Sequence, residues 1–127
     1  MAQESYREFI KRKNLQFKKK IPILMKDIGR NGVHIFEREA WTFMPQFNLK
    51  EKIFILERLR KVKHSGRVMH KKASRLGDTQ YRIGYFMLGK NGNKKGRWTW
   101  GQYCPLIPHR DLIRLLELAK KEGTFKE

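Results

Sequence analysis

One cysteine, Cys104, stands in 127 residues, so no disulfide can close within the chain. The fold must be held by its core, and a reducing, cytoplasmic setting is expected. Proline is scarce (four residues) and glycine falls at isolated points, without a repeat or a low-complexity linker. No window approaches the roughly 18 apolar residues that a transmembrane helix needs. The opening residues Met-Ala-Gln-Glu-Ser lack the apolar stretch of a signal peptide. No membrane partner is therefore expected.

Metal-ligand spacing is also missing. Cys104 and the scattered His34, His64, His70 and His109 form no Cys-x-x-Cys or His-x-x-x-His pair. The glycine-bounded stretch 89–96 carries lysines but lacks the Gly-Lys-Ser/Thr ending of a phosphate-binding Walker loop. The acids Glu37, Glu39 and Asp78 have no spacing that suits a metal-dependent nuclease. The expectation is a protein with no metal, no cofactor and no catalytic residues.

Acidic residues are the scarcest class relative to their opposites: 12 Asp and Glu face 30 Lys and Arg, for a net charge of +18. Small soluble domains usually carry a magnitude of about 2–8. Such an excess repels itself unless anions gather around it, which points to a polyanionic partner. The excess is segregated. From Arg58 to Arg110 there are fourteen Lys or Arg and one acid, Asp78; an acid-free run from Lys11 to Lys26 holds seven more.

What is present suffices for one domain of 127 residues, 39% hydrophobic and 12% aromatic. Asn48 followed by Glu51 resembles a capping box, and Leu49, Ile53, Leu56 with Ile55, Leu59 and Val62 have helical spacing. These predict a helix at about 49–63, stopped by Ser65-Gly66. Pro108, Asp111 and Gly123 bracket a second helix at 109–122, with Leu112, Leu115, Leu116 and Ala119 as its buried stripe. Between them the period falls to two. Residues 80–88 and 97–104 predict strands, joined across Asn91-Gly92 as a β-hairpin. Residues 67–74 suggest a preceding strand. The expected class is α+β: an antiparallel sheet of three or more strands, with the hairpin at 80–104, packed by the two helices. Residues 1–47 give fewer signals: a short helix over 4–13, a break at Ile21-Pro22-Ile23, a turn at Asn31-Gly32, and a strand or helix entry at 33–36.

Two constellations carry the functional expectation. The first is the hairpin, where Tyr81, Tyr85, Trp98 and Trp100 are interleaved with basic residues. Bases stack on exposed rings while Lys and Arg follow phosphates. The second is the run from Arg58 to Arg75, eight cations without an acid. Together they predict phosphate contacts from Arg60, Lys63, Arg67, Lys71, Lys72, Arg75, Arg82, Lys94, Lys95 and Arg97, with Trp98 and Trp100 as stacking residues. The partner would be DNA or RNA, with single strands favoured; a homodimer stays open.

The segment from Tyr81 to Lys120 resembles the positive-cofactor-4 family of single-stranded-DNA-binding coactivators in its order of elements. Tyr81-Arg-Ile-Gly-Tyr-Phe leads through Asn91-Gly-Asn-Lys-Lys-Gly-Arg to His109-Arg-Asp-Leu-Ile. That likeness covers under a third of the chain and implies single-strand binding by analogy. Two other functions are kept beside it. One is a metal-free, toxin-like ribonuclease using His64, His70, Lys71, Arg75, Arg82 and Tyr85. The other is a basic subunit that docks on an acidic protein.

Overall fold

The computed structural model describes residues 3–27, 31–68 and 75–126. Helix α1 (Tyr6–Phe17) is followed by β1 (Ile23–Lys26), β2 (Val33–Gln46), β3 (Leu49–Ser65), β4 (Thr79–Leu88), β5 (Trp98–Trp100) and helix α2 (His109–Lys121). The five strands form one antiparallel sheet in the order β1-β2-β3-β4-β5, so each strand pairs with its neighbour in the chain. The α+β class and the hairpin are as expected.

Helix α1 starts at Ser5, whose hydroxyl accepts from the Glu8 backbone N–H while the Glu8 carboxylate accepts from the Ser5 N–H, each at 3.2 Å. This reciprocal pair satisfies two exposed donors. Phe9 and Phe17 lie two helical turns apart on the buried side, with Lys13 midway between them on the same stripe. The stripe packs on Phe43, Ile53, Ile55 and Phe86.

Helix α2 covers the opposite face of the sheet, where Leu115 and Ala119 meet Phe54 and Leu56. Its expected bounds hold, and Gly123, just past its end, has a φ of 82°. Asp111 accepts from the Phe47 N–H at the β2–β3 turn (3.1 Å) and so ties the helix start to the hairpin. Leu112, expected in the buried stripe, is instead 39% exposed.

The main correction falls at 49–63, which is strand β3 and not a helix. Ile53, Phe54, Ile55 and Leu56 are all buried. A helical stripe cannot bury four consecutive residues against one surface, but a central strand with both faces covered does so naturally. Odd-numbered Ile53 and Ile55 pack under α1, and even-numbered Phe54 and Leu56 under α2. The i, i+3 spacing of Ile53, Leu56 and Leu59 was a coincidence of that run. β2 is longer than the sequence suggested. Its Pro45 lies beyond the four residues, Val33–Phe36, that pair with β1, where a missing N–H costs no ladder bond on that side. Arg67 and Val68 lie outside any strand, and the rest of the expected strand at 67–74 lies outside the described residues.

Candidate nucleic-acid interface

On the α1 face of β3, one residue beyond the apolar run, stands Glu57. Alternation along the strand places it beside Ile55, so its carboxylate has no water: it is 0% exposed. Two arginines reach it from the flanking strands. Arg38 of β2 donates from Nε to Oε2, and Arg82 of β4 donates from Nε to Oε1, each at 2.7 Å. Both carboxylate oxygens are therefore occupied, as burial of a charge requires.

Each guanidinium also has an aromatic backing. Arg38 lies 3.6 Å above the centre of the Phe17 ring, and Arg82 lies 4.8 Å from that of Trp100. Trp100 itself crosses Gly84. A Cβ on Gly84 would come within 2.2 Å of the indole, so the missing side chain is what lets the ring lie there. Phe86 closes the other side edge-on at 5.0 Å.

These groups border a cleft of about 380 Å³, completed by Lys13, Gln16 and the Ile21-Pro22-Ile23 approach to β1. Burial pushes the Lys13 pKa below the usual lysine value, and the nearby charges of Arg12 and Arg38 push it the same way. The cleft is thus cationic, aromatic-walled and partly desolvated.

The expected phosphate-binding residues do not form one ridge. Lys94, Lys95 and Arg97 are exposed in the β4–β5 connection, beside the start of β3. Lys63, Arg67 and Arg75 are exposed near its other end. The eleven residue steps from Lys52 to Lys63 separate these ends by roughly 35 Å at about 3.3 Å per residue. Arg60 is half-buried and spent on Glu37 (2.8 Å) and Glu39 (3.5 Å). Lys71 and Lys72 lie outside the described residues. Of the two stacking candidates, Trp100 is 40% exposed at the cleft. Trp98 is instead half-buried against the core, stacked on Phe9 at 5.0 Å, with its indole N–H donated to the Glu4 carbonyl at 3.0 Å. The α1 helix covers the sheet face on which Trp98 lies.

The residues proposed for a ribonuclease are not brought together. His64 lies seven positions along β3 from Glu57, the partner of Arg82, roughly 23 Å away at about 3.3 Å per residue. His64 instead faces His34 of β2, whose Nε2 is 2.8 Å from Asp27. Tyr85 packs on the α2 side, opposite Arg82, and His70 lies outside the described residues. Sequence reasoning named Arg82 and Trp100 but missed Lys13, Arg38 and Glu57. An acid directly after four apolar residues was the available signal, once those four are read as a two-sided strand.

The chain matches no known protein family, no curated protein and no solved structure. No helix among the described residues is long and apolar enough to cross a membrane.

Proposed function

We propose that the protein binds nucleic acid, with single strands preferred, through its exposed cations and the cleft beside Glu57. The observation that carries this reading is how the acids are used. Glu4, Glu37, Glu39, Glu51 and Glu57 are each ion-paired with a basic side chain. Glu8, Asp78 and Asp111 accept from backbone N–H groups. Among the described residues most of the scarce negative charge is used within the fold, with Glu117 of α2 and Glu122 at its end left exposed, and cations such as Lys63, Arg67, Lys94, Lys95 and Arg97 face solvent without an acidic partner. A surface of this kind attracts a phosphate backbone by releasing its counterions.

The test is fluorescence anisotropy with labelled single-stranded and duplex oligonucleotides at two salt concentrations. Binding should weaken steeply with salt, with a log–log slope of about 0.7 per phosphate neutralised on a single strand. The combined variant Lys94→Gln, Lys95→Gln, Arg97→Gln should bind more weakly and with a shallower slope. Absence of binding by the unaltered protein at low salt would overturn the proposal.

A further inference from the structure

We infer that the cleft beside Glu57 is a phosphomonoester pocket, and that it takes the phosphorylated end of a strand rather than an internal phosphodiester. The inference rests partly on the nucleic-acid reading, which supplies the strand; the pocket itself rests on geometry.

Arg38 and Arg82 each spend only Nε on Glu57. Among the described residues no acceptor takes their remaining N–H groups, although both side chains border the cleft. Glu57 and the aromatic backing fix each guanidinium plane before any ligand arrives. Rigid, planar donor forks suit the oxygens of a phosphate, and little side-chain entropy remains to be lost. Glu57 thereby acts as a positioning residue, and its occupied oxygens keep it from competing for the arginines' outer faces.

Charge and size narrow the ligand. Lys13, Arg38 and Arg82 against Glu57 leave a surplus of two positive charges around the cleft. A phosphomonoester carries about −1.5 to −2 at neutral pH, whereas a phosphodiester carries one negative charge. The volume of about 380 Å³ lies at the lower end of the range for small-ligand pockets, roughly 300–1,000 Å³. One nucleotide fits such a space and a duplex does not. Burial, and then the charges of Arg12 and Arg38, disfavour the Lys13 cation, and a docked dianion would favour it again.

The experiment compares single-stranded oligonucleotides bearing a 5′-phosphate, a 3′-phosphate or hydroxyls at both ends, together with a nucleoside monophosphate and inorganic phosphate. Tryptophan fluorescence follows the small ligands, because Trp100 borders the cleft. A terminal phosphate is expected to tighten oligonucleotide binding by about tenfold or more. Lys13→Gln, at a position that supports no buried ion pair, should bring the phosphorylated-to-hydroxyl ratio towards one. Arg82→Lys, which keeps a cation for Glu57 but loses the planar fork, should do the same with the melting temperature as a check on folding. The Lys94, Lys95, Arg97 variant should weaken all oligonucleotides alike and leave the ratio unchanged.

Binding of the monophosphate and inorganic phosphate, lost in Lys13→Gln, without binding of any oligonucleotide would support the pocket, give it a free phosphorylated metabolite as its source, and overturn the nucleic-acid reading. Oligonucleotide binding that ignores the terminal phosphate, with no response to the small ligands, would overturn the pocket and leave the nucleic-acid reading standing.

Discussion

Glu57 and Arg58 are consecutive residues of one strand, yet they serve opposite faces of the sheet in opposite ways. On the α2 side, Arg58 donates from one Nη to the carbonyls of Gly123 and Thr124, at 2.9 and 3.2 Å, just behind the helix end. It also lies 3.4 Å from Glu39. The charge there is absorbed by the helix terminus, where cations are favoured. The buried hydroxyls of Thr42 and Thr124 satisfy each other nearby at 2.8 Å. On the α1 side, the helix ends at Phe17, and the ion cluster around Glu57 opens onto a cleft. The fold closes one face around its charges and leaves the other accessible.

Breaking the α1 face at its centre should have the largest effect. Glu57→Ala leaves two guanidiniums facing each other without their carboxylate and should cost about 3–5 kcal/mol, read by chemical denaturation. Replacing Glu57, Arg38 and Arg82 together by methionine should recover much of that loss, because an apolar cluster avoids the desolvation cost, while phosphate binding stays abolished. Failure of the triple variant to recover would mean that the ion cluster also specifies strand register. On the α2 face, Leu115→Ala removes a fully buried side chain and should cost about 2–5 kcal/mol, without changing the dependence of binding on a terminal phosphate. Gly84→Ala inserts a methyl group into the indole of Trp100. It should cost about 1–3 kcal/mol and shift the tryptophan emission, because the ring must leave its seat. The smallest effect is expected at Ser5→Ala, about 0.5–2 kcal/mol from the lost cap, measured as a lower melting temperature.

The parts legible in the sequence were those set by local rules. Asn91-Gly92 marked the β4–β5 hairpin, and Pro108 with Gly123 marked the ends of α2. β3 was misread because its four-residue apolar run satisfies helical and two-sided strand spacing alike; only the presence of a helix on each face decides between them. The same limit applies to the cleft. Arg82 and Trp100 stood out on an evident hairpin. Lys13 and Arg38 reach the cleft only through the docking of α1 and the pairing of Arg38 with Leu59 across a bulge at Glu39. Those are long-range facts, and no short motif announces them. The partial cover of Trp98 was hidden for a related reason: the ring that stacks on it, Phe9, comes from a helix some ninety positions earlier in the chain.

The meander order of the strands has a consequence for biosynthesis. Each strand after β1 pairs with the one made before it, so the sheet can assemble as it leaves the ribosome, with α1 made before β3 and able to cover Ile53 and Ile55. The opposite face has no such early cover. Phe54, Leu56, Ile83 and Tyr85 must wait for α2, which follows the last strand, and until it arrives the nascent sheet presents an apolar side to other chains. A stalled or shortened product that ends before His109 would therefore be prone to aggregate by its α2 face, while the opposite face, with its cleft beside Glu57, was already built.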